Sequence, residues 1–547
     1  MDIRPDHLEI VQDILREHLP VEAEVWVFGS RANWTTKDSS DLDLAVEGAT
    51  NFDHKAMVRL EIAFEESELP YTVDVVDLNA VSKEFKKIVE GQKVPLPSVR
   101  FQAQANDGGW KRVTLGDVCT KVGSGATPRG GRDVYLDEGL YTLIRSQNVY
   151  NDGFHRDGLA FIGDSHANEL QNVEVFEEDV LLNITGDSVA RVCQVAPDVL
   201  PARVNQHVAI IRPDSDNLDA GYLRYYLASP EMQAMLLSWA GSGGTRNALT
   251  KGMIESLEIS LPPVSEQRAI AAILGALDDK IELNRRMNQT LEEMARAIFR
   301  DWFVDFGPVR AKLEGREPYL PPELWDLFPD RLVDSELGEI PEGWEVKALG
   351  EVSNLNPESW SRTNYPVHVE YVDLANTKWG VIGSTQHFAW KGAPSRAKRV
   401  LRTGDTIVGT VRPGNGSYSF IGNDGLTGST GFAVLRPLHP RFRELVYLSA
   451  TALDNIERLA HRADGAAYPA VRPEIISETE VAIPADESRV LNWFSKTVGP
   501  VLDKMESVKA ESRALATQRD ALLPKLISGE SRVADLSSTN QEVLPDV

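Results

Sequence analysis

The sequence predicts an α+β multidomain protein: a small N-terminal α/β domain, then two similar α/β modules separated by two long antiparallel coiled-coil helices in pseudo-two-fold symmetry. Three observations carry this prediction. At 547 residues the chain exceeds what one hydrophobic core serves, and its length suits several domains. A phrase, "GGWKRVTLGDV" at 108–118, returns as "EGWEVKALGEV" at 342–352. Each copy also leads into a long segment whose apolar residues recur at alternating steps of four and three.

The N-terminal domain is expected over 1–90. Its stretch "VWVFGSRANWTTKDSSDLDLAV" (25–46) reads as strand, Gly-Ser turn, loop, and a strand with alternating carboxylates. Asp41 and Asp43 stand two apart on a strand and so share one face. Two carboxylates on one face can hold a divalent metal together with triphosphate oxygens. Gly29 and Ser30 let backbone donors approach those phosphates. A third carboxylate follows in "YTVDVVDL": Asp74, with Asp77 as the less favoured choice. This pattern resembles the minimal nucleotidyltransferase superfamily, in which Gly-Ser precedes Asp-x-Asp and a later Asp. The resemblance implies that Asp41 and Asp43 bind Mg²⁺, that Asp74 deprotonates the attacking hydroxyl, and that Gly29 and Ser30 cradle an NTP. Active transfer and a docking or regulatory relic both fit the pattern.

Residues 91–107 read as a linker, rich in Pro and polar residues with little periodicity. The first module is expected over 108–264 and the second over 342–485. Within them "FEEDVLLNITGDSVARV" (176–192) and "HVAIIRP" (207–213) answer to "LRTGDTIVGTVRPGNGSYSF" (401–420) and "GFAVLRP" (431–437). Gly244/Gly465, Lys251/Arg472 and Ile254/Ile475 are all offset by 221. A duplication of this length is far longer than a solenoid repeat. Short β-branched and aromatic runs broken by Gly, Asn and Asp predict irregular β structure with some helix.

The first helix, 265–305, places Ile270, Leu274, Leu277, Ile281, Asn284, Asn288, Leu291, Ala295, Ile298 and Trp302 on one seam. The second, 486–530, places Leu491, Phe494, Val498, Val501, Met505, Val508, Ser512, Leu515, Arg519, Leu522 and Leu526 there, with Gly499-Pro500 predicted to kink or restart it. Asn284 and Asn288 either fix register or mark the wet middle of an imperfect coil. The aromatic cluster Phe299, Trp302, Phe303 and Phe306 is core packing or a partner contact, the first being favoured. A connector (306–341) and a disordered tail (531–547) complete the division.

Composition is that of a folded soluble protein, with 42% hydrophobic and 25% charged residues. No long apolar run and no signal-peptide order at the N-terminus predict a cytoplasmic protein without membrane association. Two cysteines, Cys119 and Cys193, make no disulfide framework and no zinc spacing, and are expected to be buried. The net charge of −25 disfavours phosphate binding by the chain as a whole. The charge is uneven: residues 1–90 hold 20 acids and 9 bases, whereas 360–474 hold 14 bases and 9 acids. In 120–255 there are 11 bases against 18 acids, so binding there requires locally clustered arginine.

A duplicated module on a helical spacer suits an extended, nearly two-fold ligand, and duplex DNA is one. Candidate contacts in the second module are Arg396, Lys398 and Arg399 of "SRAKRV", and Arg412 and Asn415 of "TVRPGNGSYS". In the first they are Arg191, Arg246 and Lys251. A solvated surface charge is the competing reading for each.

The W-x4-LG openings, "SELGEIPEGW" (335–344) and "LPPVSEQRAIAAILGALDDKI" (261–281) resemble the specificity subunit of type I restriction–modification systems, over roughly 108–530. The resemblance implies two target recognition domains, a bipartite double-stranded DNA target, two adenine methyltransferase (modification) subunits as partners, and an ATP-driven restriction/translocase subunit. It carries over no base contact, because recognition loops vary in that family. "NPES" (356–359) departs from the methyltransferase motif and no Walker A loop is present, so S-adenosylmethionine and ATP are expected to act through partners. The specificity subunit is then not catalytic by itself. The rival reading is a nucleotidyltransferase acting on a protein or nucleic-acid acceptor, targeted by the duplicated region.

Overall fold

The computed structural model describes residues 3, 5–19, 24–32, 41–47, 54–65, 67, 69–90, 93–96, 110–241, 248–465, 468–486 and 489–533. The chain divides into two compact units, residues 1–279 with 516–547, and residues 280–515.

The N-terminal domain contains α1 (Pro5–His18), β1 (Glu24–Phe28), α2 (Gly29–Ala32), β2 (Leu42–Glu47), α3 (His54–Glu65), β3 (Val73–Asp77), α4 (Lys83–Glu90) and β4 (Val94–Pro95). Its sheet runs β3-β2-β1-β4, with β2 parallel to β3 and antiparallel to β1. Alternation on β2 sends Leu42, Leu44 and Val46 into one core with Val11 and Leu15 of α1 and Leu60 and Phe64 of α3. The opposite face buries Ala45 with Val89 of α4 and ties Glu47 to Lys86 at 2.6 Å. The chain expected to leave the domain at 90 instead adds β4 beside β1, where Leu96 is buried and Lys93 Nζ lies 4.2 Å from the Trp26 ring.

The first module contributes β5 (Lys111–Thr114), β6 (Cys119–Ser124), β7 (Tyr141–Ile144), β8 (Ala160–Ile162), β9 (Glu174–Val175), β10 (Val180–Asn183), β11 (Val192–Gln194), β12 (Ala202–Val204), β13 (Val208–Pro213) and β14 (Glu258–Leu261). Its helices are α5 (Ala220–Ala228), α6 (Pro230–Gly241), α7 (Lys251–Glu255) and the long α8 (Val264–Phe303). One sheet runs β11-β10-β13-β6 and the other β8-β7-β12-β9. The central strand reads "VLLN" and is buried on both faces. Val180 and Leu182 face the helices, while Leu181 faces the second sheet.

The second module repeats this strand for strand. Its strands are β15 (Trp344–Ala348), β16 (Ser353–Leu355), β17 (His368–Val372), β18 (Gln386–Ala389), β19 (Ala397–Val400), β20 (Thr406–Gly409), β21 (Tyr418–Phe420), β22 (Leu426–Ser429), β23 (Phe432–Pro437) and β24 (Glu480–Pro484). Its helices are α9 (Arg443–Ala450), α10 (Leu453–His461), α11 (Pro473–Ser477) and α12 (Arg489–Ile527). The sheets run β21-β20-β23-β16 and β18-β17-β22-β19, each strand ten places after its counterpart. In both modules a single parallel pairing, β7 with β12 and β17 with β22, joins otherwise antiparallel sheets. A buried aspartate before the central strand repeats too: Asp179 meets Arg212 at 2.7 Å, and Asp405 meets Arg436 at 2.8 Å.

The long helices run antiparallel within each unit. In residues 280–515, Asn284 Nδ2 donates to Glu511 Oε2 at 2.9 Å while Phe303 packs on Phe494. In the other unit, Asp278 pairs with Arg519 and Glu266 with Arg532, both at 2.8 Å. No predicted seam position is exposed. Asn284 is buried at the seam.

The second helix is unbroken from Arg489 to Ile527 through Gly499-Pro500, so it does not restart there. The glycine serves close approach instead: a Cβ there would stand 3.0 Å from Glu444 Oε1. Buried Phe494, Val498 and Leu502 hold the helix on either side of it. Phe299, Trp302, Phe303 and Phe306 are buried with Trp344, Phe328 and Phe494, which is the core reading of that cluster. Cys193 is buried and Cys119 half-buried, and burial pushes both thiols up to about 12. Arg532 stacks on Trp110, so the expected tail is still packed at that point; residues 534–547 lie outside the described residues.

Candidate functional site

The N-terminal candidates converge. In the parallel β2–β3 pair Asp43 stands directly opposite Asp74, and Phe28, the residue before Gly29, is opposite Asp43 on the other side. Gly29 has φ +72, and a Cβ there would lie 2.2 Å from Asp43 Oδ2. The glycine therefore admits the carboxylate as well as the turn. Asp41 is exposed just ahead of β2, Asp74 is exposed, and Ser30 follows in the α2 turn. Asp77 is buried, accepts the Asn79 N–H at 2.9 Å, and by alternation faces away from Asp74.

Burial, then the charge of Asp74, then that of Asp41, raise the Asp43 carboxyl above its ordinary value. Repulsion of this kind is what a divalent cation relieves. Among the described residues no three of His, Cys, Asp or Glu form a metal cluster by themselves. The donor set therefore fits a cation shared with phosphate oxygens, rather than one held by protein alone.

In the modules the candidates fall into distinct places. Arg191 and Arg412 lie on equivalent loops, between β10 and β11 and between β20 and β21. Each loop is pinned in the same way: Leu249 N donates to Ile184 O, and Val471 N to Thr410 O, both at 2.9 Å. Arg191 lies 4.4 Å from the ring of Tyr150, on a hairpin that follows β7. Arg412 lies 4.7 Å from the ring of Tyr468, which is 71% exposed. Asn415 is exposed on the same loop, and its carbonyl accepts Lys378 Nζ at 3.4 Å.

Arg396 and Lys398 are exposed at the edge strand β19, on the other sheet. Arg399 turns inward, donates to Ser359 Oγ at 3.4 Å, and burial lowers its pKa from the ordinary value. Lys251, in the first turn of α7, lies 3.4 Å from Glu255. Arg246 lies outside the described residues. The aromatics Tyr150, Trp379 and Tyr468 escaped the sequence reading. The signal for the first two was a turn: "NDG" at 151–153 and "KWG" at 378–380.

Beneath Arg191, a cavity of about 480 Å³ is lined by Tyr150, Arg224, Tyr225, Asp278 and Arg519, among others. Asp278 accepts from Arg224 at 2.8 Å, Tyr225 at 2.7 Å and Arg519 at 2.8 Å. Burial works to raise this carboxyl, but Arg224, Arg519 and Tyr225 together hold it below the ordinary value.

Comparison with known proteins follows the same division. The type I restriction modification DNA specificity domain family matches residues 107–293. The type I restriction enzyme HindI specificity subunit of Haemophilus influenzae is 25% identical over 471 residues, covering 77% of this chain and 99% of that one. The chain thus carries a type I restriction–modification DNA specificity domain and has type I specificity subunits as homologues. It also carries a nucleotidyltransferase-like domain, since the polymerase beta nucleotidyltransferase family matches residues 9–98. Over 89 residues it is 42% identical to the probable protein adenylyltransferase MntA of H. influenzae, covering 16% of this chain and 77% of that one. Among solved structures, the S subunit of a type I restriction-modification system from M. genitalium is similar with a TM-score of 0.46 at 16% identity, covering 77% of this chain and 96% of that one. Among the described residues no helix is long and apolar enough to cross a membrane.

Proposed function

We propose that this specificity subunit binds a bipartite DNA site, each module reading one half, and directs adenine methylation and restriction by partner subunits. The observation that carries the reading is the pair of topologically identical modules whose equivalent loops differ in residues: "ITGDSVAR" (184–191), with Arg191, in one and "TVRPGNGS" (410–417), with Arg412 and Asn415, in the other. Identical scaffolds with different contact residues suit two different short sequences. Arg396 and Lys398 then contact phosphate, and Arg191, Arg412 and Asn415 lie nearer the bases; Arg246, outside the described residues, is kept as a DNA contact in the same proposal. Lys251 and Arg399 complete the proposed set as supporting contacts. The functional division is 1–90 together with the added β4, 108–264, 265–305, 342–485 and 486–530, with two methyltransferase subunits and a restriction/translocase subunit as partners in the cytoplasm. S-adenosylmethionine and ATP for methylation and restriction belong to those partners. Methylome sequencing of a host expressing the whole operon is expected to show one split adenine-methylated motif that disappears when this chain is deleted. Methylation without a split motif refutes the reading.

The N-terminal domain in the same proposal transfers a nucleotide from an NTP to a hydroxyl acceptor, the new oxygen–Pα bond replacing the bond to the β-phosphate and pyrophosphate leaving. Asp41 and Asp43 would hold Mg²⁺, Gly29 and Ser30 would cradle the triphosphate, and Asp74 would take the proton of the attacking hydroxyl. The bound metal would supply neutralisation of phosphate charge. Asp43 facing Asp74 beside Gly29 supports this over a relic. With α-labelled ATP and Mg²⁺, the purified complex is expected to label a protein acceptor, and Asp41→Ala with Asp43→Ala to abolish labelling. Those substitutions are expected to leave the methylated motif unchanged. The rival, in which transfer is the main activity and the duplicated region only targets it, predicts that the motif depends on Asp41 and Asp43.

A further inference from the structure

The hairpin Thr377–Lys378/Val381–Ile382 turns through Trp379 and Gly380, with φ +45 and +81. A two-residue turn with both φ values positive favours Asn-Gly, whose first residue tolerates left-handed backbone. Here a tryptophan occupies that place, and it is 49% exposed. Its backbone N–H donates to Gly416 O at 2.7 Å. Its ring covers Gly416, where a Cβ would stand 2.5 Å from the indole, and meets Tyr418 edge-on at 5.9 Å. The hairpin tip is thus one surface with the loop that carries Arg412 and Asn415.

The tip is held from behind by the long helices. Lys509 of α12 is buried, and its Nζ donates to Gly380 O and to Glu506 Oε1, each at 2.7 Å. Ser419 Oγ also donates to Gly380 O, at 3.0 Å. From α8, Arg296 donates to the Tyr418 hydroxyl at 3.2 Å and to Glu292 at 2.7 Å. A side chain at Gly380 would meet the Tyr447 hydroxyl at 3.2 Å. The buried ammonium thus anchors the backbone of the turn that carries Trp379.

We propose that Trp379 contacts duplex DNA and determines specificity in the second module, and that Lys509 is its positioning residue. The proposal rests on the DNA-reading function above. Lys378 and Arg412 beside the exposed rings of Trp379 and Tyr468 combine cations for phosphate with flat apolar faces for bases, the chemistry of nucleic acid rather than of an apolar protein groove. The first module makes the same juxtaposition independently, with Tyr150 on the equivalent hairpin under Arg191.

The test compares methylomes from the full operon carrying wild-type or variant chains, and then competes the purified full chain between duplexes altered in one half of the wild-type motif. Trp379→Ala is expected to make the second half degenerate and to weaken discrimination there about tenfold, the low end of what one base pair contributes in a specific duplex complex, with the first half intact. Trp379→Phe keeps the reading, and Trp379→Asp, which sets a carboxylate toward phosphate, removes it. Lys509→Met is expected to blur the second half alone, and Lys509→Arg to restore it. A wild-type motif that survives Trp379→Asp, or that loses both halves equally in every variant, overturns the proposal. Absence of a split motif in the wild type overturns the underlying function instead.

Discussion

Asp43 illustrates what one residue contributes. Its carboxyl is raised by burial and by its acidic neighbours, so ionisation is penalised in the folded state. The penalty is full above the raised value and vanishes below the unfolded one. Asp43→Asn is therefore expected to raise the unfolding temperature of the N-terminal domain at pH 7, and to lose that advantage as the pH falls through the ordinary carboxylate range. Differential scanning calorimetry without nucleotide or Mg²⁺ measures both effects, and a destabilised Asn variant at pH 7 would show that Asp43 is a structural partner. The pairing of β2 with β3 sets Asp74 beside Asp43, and alternation on "VDVVD", legible in the sequence, sends Asp77 to the opposite face. The inward turn of Arg399 was not, since it depends on Ser359, forty positions away.

Among elements, the junction of α5, α8 and α12 depends on one carboxylate. Asp278 of α8 joins two arginines and a tyrosine hydroxyl from two other helices, α5 and α12. Asp278→Ala leaves Arg224 and Arg519 without this partner, at a cost of about 3 kcal/mol in urea unfolding at pH 7. Because the folded carboxyl is held below its ordinary value, its contribution is present above that value and is lost as the pH falls through the folded one. The measured cost is thus expected to shrink in strong acid. The heptad seams were legible because a step of three and four is local to the helix. The continuity of α12 through Gly499-Pro500 was not, because it follows from contacts with α9 rather than from the helix's own propensity.

At the scale of the molecule, the duplication separates scaffold from contact. The ion pairs of buried Asp179 with Arg212 and of buried Asp405 with Arg436 fall at matching positions in equivalent sheets. The loops that follow the central strands do not match in residues. Replacing 353–472 by the same stretch of another type I specificity subunit is expected to change one half of the methylated motif and to leave the other unchanged. A motif altered in both halves would mean that the modules do not read independently.

The sequence by itself determined the duplication, the helical seams, the order of the parts and the carboxylate motif. Each of these is written in spacing along the chain, and spacing survives as periodicity in helix and strand. Tertiary structure alone decided which cations face outward, which aromatics accompany them, and what holds the Trp379 turn. Those depend on loops from distant positions meeting: 379 on 416, 412 on 468, and 509 on 380. Contacts between residues far apart in the chain leave no period to read.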